Sequence, residues 1–148
     1  MYHPFYYTYI NYSLSPQYNS YPNFQDAQHR QQSPVYAGKT YRYDYKDGNV
    51  FIIDFLDSNL RCEKGIAGQH KGHNGYYAFK YVEIAPCVYF MYWLEELYTV
   101  SQVADFNNMT VYTHYTYDKM GVRKSFFHSG TITQVDTTLD CKPNSLFY

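Results

Sequence analysis

Alternating tyrosines constrain the fold of this chain more than any other sequence feature. Tyr41, Tyr43 and Tyr45 occupy every second position of one segment, and residues 46–49, which contain an Asp-Gly pair, follow as a turn signal. A second extended segment, at about 50–55, comes directly after the turn. Because side chains alternate between the two faces of a strand, the three phenols share one face, and the pattern predicts a β-hairpin.

The other segments with strand character are also short and separated by turn signals. They lie at about 60–64, 76–84, 88–95, 98–106, 110–117 and 123–133. About eight short strands with tight turns predict an all-β chain that forms a small antiparallel up-and-down barrel, because closure removes exposed strand edges. The interior of such a barrel is either filled by side chains or holds one small ligand. A weak helical pattern near 94–103 competes with the strand interpretation of that segment.

Composition limits the classes of function. The 148 residues suffice for one domain, and a formal net charge of −1 gives no general attraction to nucleic acid or membranes. Cys62, Cys87 and Cys141 are an odd number without a paired framework, so we expect a reducing, cytoplasmic compartment. No apolar run is long enough for a membrane-spanning helix, and the N-terminus does not have the pattern of a signal peptide.

The composition changes along the chain and predicts three regions. Residues 1–37 are rich in Tyr, Gln, Asn, Ser and Pro and almost uncharged, so we expect a flexible, disordered tail. A role in RNA association stays open because tyrosine stacks on bases, although Arg30 is the single arginine of this region. We expect the barrel at residues 38–135 and a C-terminal tail at 136–148.

The segment at 88–95 carries the best candidate for a reactive group. Tyr89, Met91, Trp93 and Glu95 share one face by alternation. If this face lines the interior, Glu95 lies among aromatic rings at the barrel mouth, where desolvation raises its pKa and suits it to proton transfer. The alternative is that Glu95 ends the strand in solvent, as most glutamates do.

Short motifs resemble two related families. Residues 43–48, Tyr-Asp-Tyr-Lys-Asp-Gly, resemble the Tyr-x-Tyr-x-x-Gly opening of bacterial phenolic acid decarboxylases, and 88–95 resemble their Val-Tyr-x-Val-x-Trp-x-Glu strand. In its length and in residues 99–106, the chain is still more similar to MoaF-like domains. The resemblance covers about 38–135 and implies a calycin-like, or lipocalin-like, barrel.

The resemblance to the decarboxylases also implies a reaction. By position, Tyr43, Tyr45 and Glu95 match their catalytic residues, which protonate the alkene of a para-hydroxycinnamic acid and release carbon dioxide without a cofactor. The family also uses an arginine in an Ala-Gly-Arg-Trp segment. Residues 67–70 read Ala-Gly-Gln-His here, so Lys71 is the nearest cation, and lysine lacks the two-pronged contact of arginine.

Histidines and cysteines offer weaker candidates. Cys62, His70 and His73 could be assembled into a zinc site, but the pattern has no clear fourth ligand, and a mobile surface loop is the expected structure around the two histidines. His114 and His128 lie in predicted strands and could face the interior, although exposed or hydrogen-bonded histidines are commoner.

The sequence therefore leaves three hypotheses. The first is a MoaF-like barrel that binds a small apolar or aromatic ligand. The second is a cofactor-free carboxy-lyase, and the third is a non-catalytic interaction module that acts through the tyrosine-rich arm. We expect no metal, no cofactor, no nucleic acid and no membrane as partners, and a homodimer stays open. The ligand-binding residues that we predict, beyond the three catalytic candidates, are Tyr41, Tyr89, Met91, Trp93 and Lys71.

Overall fold

The computed structural model describes residues 33–142 and confirms the all-β prediction. No helix occurs in this part of the chain, at 94–103 or elsewhere, so none of its segments could cross a membrane as a helix. The nine strands are β1 (Thr40–Tyr45), β2 (Val50–Phe55), β3 (Leu60–Ala67), β4 (Asn74–Ala78), β5 (Lys80–Ala85), β6 (Val88–Leu94), β7 (Tyr98–Asp105), β8 (Thr110–Lys119) and β9 (Val122–Val135).

The strands form one antiparallel sheet in a nearly closed barrel. Their order is β4-β3-β2-β1-β9-β8-β7-β6-β5, so all consecutive strands except β4 and β5 are neighbours, and β1 pairs with β9. The up-and-down prediction is therefore confirmed. The ends of the sheet are β4 and β5, which follow each other in the chain and are not hydrogen-bonded to each other.

The break between β4 and β5 corrects the single strand predicted at 76–84. Phe79 separates the two strands, and its amide donates to the carbonyl oxygen of Asn59 at 2.8 Å. The Asn59 side-chain amide donates to the Phe79 carbonyl oxygen at 3.1 Å. Because both backbone groups of Phe79 are hydrogen-bonded to the turn before β3, they cannot join the strand ladder, which is interrupted there. The phenyl ring is buried in the core.

The predicted hairpin turn is also present. Tyr45 donates its amide to the carbonyl oxygen of Asn49 at 2.9 Å, and Gly48 donates to that of Tyr45 at 3.1 Å. Gly48 has a φ of 89°, which glycine adopts without the steric cost that a Cβ atom brings. This turn fixes the register in which the tyrosines of β1 face the barrel interior.

Aromatic side chains fill one end of the barrel. Tyr36, which precedes β1, is fully buried, and its ring centroid lies 4.7 Å from that of Phe55 and 5.0 Å from that of Tyr89. Its hydroxyl donates to the carbonyl oxygen of Ser58 at 2.9 Å. Residues 33–37, which the sequence analysis assigned to the tail, thus contribute to the core, whereas the tail regions 1–32 and 143–148 lie outside the described residues.

The C-terminal segment covers part of the outer surface of the barrel. Leu139 donates its amide to the Asp54 carboxylate at 3.3 Å, and Cys141 is joined to Cys62 of β3 in a disulfide. The Cα atoms of the two cysteines are 6.0 Å apart. The odd number of cysteines predicted no paired framework, so this disulfide, which connects positions 79 residues apart, is a correction.

Candidate functional site

The end of the barrel opposite the aromatic cluster contains a partly open cavity of about 90 Å³. Its apolar lining consists largely of rings contributed by β1, β2, β6, β7 and β8. The cavity also exposes charged and hydrogen-bonding groups from β3, β7, β8, β9 and the β3–β4 loop. The aromatic members of the lining are Tyr45, Phe51, Trp93, Tyr98 and Tyr115.

A buried ion pair forms the charged part of the lining. Arg61 and Glu63 alternate on β3, face inward and are 2% and 7% exposed. The guanidinium donates to the Glu63 carboxylate, and its central carbon lies 4.1 Å from the ring centroid of Trp93, in cation–π geometry. The Nε–H of Arg61 is buried and finds no hydrogen-bond partner among residues 33–142.

The pKa of Glu63 reflects two opposing effects. Burial alone would raise this pKa, because it disfavours the charged form. The charge of Arg61 and the hydrogen bond with His73 outweigh burial and hold the pKa of Glu63 at about 2. The carboxylate is thus ionised throughout the physiological range, and its contact with Nε2 of His73, at 3.2 Å, raises the pKa of that histidine.

A neutral hydrogen-bond network lies beside the ion pair. The Tyr45 hydroxyl and Oγ1 of Thr113 are 2.8 Å apart, and the Gln102 amide donates to Thr113 at 2.9 Å and to Tyr45 at 3.3 Å. The amide oxygen of Gln102 accepts from Arg61 at 3.4 Å. Burial raises the pKa of Tyr45, so the hydroxyl stays protonated and can act as a hydrogen-bond donor.

His128 stacks on Tyr45 and completes this wall. Their ring centroids are 3.6 Å apart with nearly parallel planes, and Nδ1 of His128 lies 2.9 Å from the Asp47 carboxylate. Burial lowers the pKa of His128, against the opposite effect of Asp47. Of the two histidines considered in the strands, His128 faces the cavity and His114 is exposed.

Glu95 lies at the mouth of the cavity, directly after β6. Its Oε1 accepts a hydrogen bond from the Trp93 indole at 2.9 Å. Burial raises the pKa of Glu95, and the nearby negative charge of Glu63 raises it further, whereas the bond from Trp93 lowers it. Glu95 is therefore the carboxyl group of the cavity that holds a proton most readily as the pH falls.

The β3–β4 loop brings two further histidines into the lining. The backbone amide of His70 donates to the Asn49 side chain at 3.1 Å, and Nε2 of His73 lies 3.3 Å from the Tyr77 hydroxyl. Burial lowers the pKa of His70. The loop expected around both histidines lies over the mouth of the cavity, with their rings facing it.

The predicted ligand-binding and catalytic residues divide between the cavity and the core. Tyr45, Trp93 and Glu95 line the cavity. Tyr43 is fully buried next to Tyr45, and in the described part of the chain its hydroxyl has no hydrogen-bond partner. Lys71 is exposed and lies outside the lining. The remaining predicted residues, which belong to the hydrophobic core outside the cavity, are Tyr41, Tyr89 and Met91.

The most polar part of the site was not predicted from the sequence. Arg61 and Glu63 lie at alternate positions of β3, so their side chains are on the same face of the strand. This spacing was the signal in the sequence that the two residues could form a pair. Gln102 and Thr113 are directly paired across β7 and β8, a relation that depends on the register of the two strands. No described histidine or cysteine of the cavity forms a cluster with metal-ligand spacing, and Cys62 points away from His70 and His73.

Comparisons with known proteins agree with this architecture. A crystal structure of a proposed β-lactamase from Burkholderia vietnamiensis is similar to this chain with a TM-score of 0.62 and 23% sequence identity, over 71% of this chain and 100% of that one. At this identity the likeness shows a common fold. No curated protein matches the chain in sequence. The MoaF-like family model matches residues 37–133, and the chain therefore belongs to the MoaF-like family.

Proposed function

We propose that this MoaF-like barrel binds a small molecule with an aromatic or apolar body and a polar group. The observation that carries the proposal is the cavity, in which aromatic walls surround the buried pair of Arg61 and Glu63. Ligand sites typically combine an apolar lining with a few convergent polar groups. The hydrogen-bonding groups of Tyr45, Gln102 and Thr113 belong to the same lining and suit a polar group on the ligand.

The volume of the cavity limits the size of the enclosed part of the ligand. A cavity of about 150 Å³ in another protein holds one benzene molecule, and typical ligand pockets measure about 300–1,000 Å³. The space here is about 90 Å³. We therefore expect at most one ring to enter the barrel, with any further part of the ligand at the open mouth among His70, His73 and Glu95.

Trp93 provides a direct test, because it is the single tryptophan of the chain and forms one wall of the cavity. Phenol, p-hydroxybenzoate and p-coumarate are titrated into the full chain while its tryptophan fluorescence is recorded. We expect a saturable change with at least one compound. If all three leave the fluorescence unchanged at millimolar concentration, the proposal of a single-ring ligand is wrong.

Two neighbouring glutamates supply the matched variants for this test. Glu95→Gln keeps an acceptor for the Trp93 indole but removes the carboxyl group, whereas Glu96 is exposed and outside the cavity. Loss of a hydrogen bond that involves a charged group costs about 1.5–3 kcal/mol, or about 10- to 150-fold in affinity. Calorimetry should show this loss for Glu95→Gln and none for Glu96→Gln. Equal affinities would exclude Glu95 from the site.

A cofactor-free carboxy-lyase activity is the second candidate. It is favoured by the raised pKa of Glu95, a proton donor in the same cavity as Tyr45 and the cation Arg61. In this reaction the alkene of p-coumarate takes a proton from the acid, the carbon–carbon bond to the carboxylate breaks, and carbon dioxide and a vinylphenol are released. Glu63 already neutralises Arg61, so binding a carboxylate requires that pair to rearrange.

The absorbance of p-coumarate separates the two candidates. Decay of the absorbance by the full chain, lost in Glu95→Gln and kept in Glu96→Gln, would support the enzyme. Binding without decay between about pH 5 and 8, which brackets a raised carboxyl pKa, would leave a binding barrel.

We also propose a cytoplasmic location, supported by the odd number of cysteines. In a reducing compartment the Cys62–Cys141 pair would be present as thiols. Labelling with a thiol reagent in extracts denatured in the presence of a chelator checks this, because all three cysteines would then react only if the pair is reduced.

A further inference from the structure

A second set of reactive side chains lies on the outer surface of the barrel, away from the cavity. Asp54 of β2 and Cys62 of β3 are directly opposite each other in the strand pairing, so their side chains point to the same face. Their neighbours Ile53, Phe55 and Arg61 face the interior. The C-terminal segment packs over this outer face and brings Cys141 to it.

The three side chains are close enough to share one ion. The two sulfur atoms and a carboxylate oxygen of Asp54 all lie within 4.8 Å of one another. Ligands at about 2.0–2.3 Å from a tetrahedral zinc ion are about 3–4 Å apart, so small side-chain movements suffice once the disulfide is open. Thiolate and carboxylate are established ligand types for zinc, and thiolates select it over magnesium or calcium.

The surroundings of Asp54 are an independent reason to expect a cation. The residue is 7% exposed, and its carboxylate accepts hydrogen bonds from Oγ1 of Thr40 at 3.2 Å and from the Leu139 amide at 3.3 Å. Among residues 33–142 it forms no ion pair with lysine, arginine or histidine. A buried carboxylate without a cationic partner is costly, and a metal ion would compensate this cost.

We propose that Asp54, Cys62 and Cys141 bind a divalent zinc-class cation when the two cysteines are reduced. A dithiol reductant opens the bond by forming its own disulfide, and its two electrons and two protons convert Cys62 and Cys141 into thiols. The cation then displaces both thiol protons. The disulfide and the metal complex exclude each other, and each attaches the C-terminal segment to β3.

Cobalt(II) tests the proposal because its thiolate complexes absorb by charge transfer. The full chain is reduced with a dithiol, freed of reagent under argon and titrated with Co²⁺. We expect a charge-transfer band that saturates at one equivalent, disappears on addition of Zn²⁺ and is absent from the oxidised protein. No band in the reduced protein, or an equal band in the oxidised protein, overturns the proposal.

Single substitutions identify the ligands. Cys62→Ser and Cys141→Ser should each remove the band, and Asp54→Asn should weaken Co²⁺ binding at least about tenfold. Cys87→Ser is the matched control, because this half-buried thiol lies in the β5–β6 turn and outside the cluster. A band that depends on Cys87, or that is independent of Asp54, overturns the proposed ligand set.

Thiol protection gives a measurement that does not depend on a variant. The reduced chain has three thiols, and Zn²⁺ should protect two of them from a thiol reagent while Cys87 still reacts. Three reactive thiols in the presence of Zn²⁺ would overturn the site. Unchanged Trp93 fluorescence in each cysteine variant shows that the barrel is still folded, because this residue lies in the core.

Discussion

Replacing Glu63 by glutamine isolates the energetic role of the buried ion pair. The substitution keeps the size of the side chain but leaves the charge of Arg61 without its main partner at a position that is 2% exposed. Removing one partner of a buried pair typically costs about 3–5 kcal/mol, because the remaining charge is desolvated and unpaired. We expect Glu63→Gln to lower the free energy of unfolding by an amount in this range.

The pKa of Glu63 gives an independent value for the same interaction. In the folded protein this pKa is about 2, against 4.5 for an unperturbed glutamate. At about 1.4 kcal/mol for each pH unit of difference, the ionised carboxylate contributes about 3 kcal/mol to stability. Because the folded pKa is the lower one, the contribution is complete above pH 4.5 and is lost as the pH falls from 4.5 towards 2.

Urea denaturation of the wild-type protein and of Glu63→Gln, at neutral pH and near pH 3, measures both effects. The difference in unfolding free energy should be about 3 kcal/mol at neutral pH and clearly smaller near pH 3, because Glu63 is protonated in the unfolded chain there while the folded protein still keeps it ionised. Glu96→Gln, at an exposed position, should change stability by less than about 0.5 kcal/mol. A neutral-pH difference below about 1 kcal/mol, or one that does not change with pH, would refute the reasoning.

Two further predictions use the tyrosines. Tyr43→Phe should leave the melting temperature unchanged or raise it, because the buried Tyr43 hydroxyl has no hydrogen-bond partner in the described part of the chain. Tyr45→Phe should lower the free energy of unfolding by about 1 kcal/mol, because it removes the hydrogen bonds with Thr113 and Gln102. Calorimetric melting of both variants checks this, and equal destabilisation would contradict it. Tyr36→Ala should lower the free energy of unfolding, measured by urea denaturation, by about 3–5 kcal/mol, because it leaves a cavity at the centre of the aromatic cluster. A decrease below about 1 kcal/mol would show that the segment before β1 is not part of the core.

The fold was predictable from the sequence because its signals are local. Alternation places the tyrosines of β1 on the inner face, and the Asp-Gly turn fixes the register of β1 against β2. The division at Phe79 depends instead on two hydrogen bonds between Phe79 and Asn59, twenty residues earlier: the Phe79 amide donates to the Asn59 carbonyl oxygen, and the Asn59 side chain donates to that of Phe79. The attachment of Cys141 to Cys62 spans 79 residues, and no local pattern identifies such a partner.

The site was predictable in part, and β3 shows why the rest was not. In the first half of Leu60–Ala67, apolar and charged residues alternate, and the apolar face of a strand is normally the internal one. By this rule Cys62 would point inward, and Arg61 and Glu63 would lie in solvent. The structure has the opposite orientation, because the pairing of β3 with β2 decides which face is internal.

This inverted orientation supports the proposal that the barrel binds a small molecule. Replacing a buried ion pair by apolar residues of similar volume is often neutral or stabilising, so stability does not account for Arg61 and Glu63 inside the barrel. Both side chains belong to the lining of the cavity, together with Glu95 and Trp93. Stability does not require these buried charges, and they line a cavity that a small molecule can enter. Binding and catalytic groups are expected to have this arrangement.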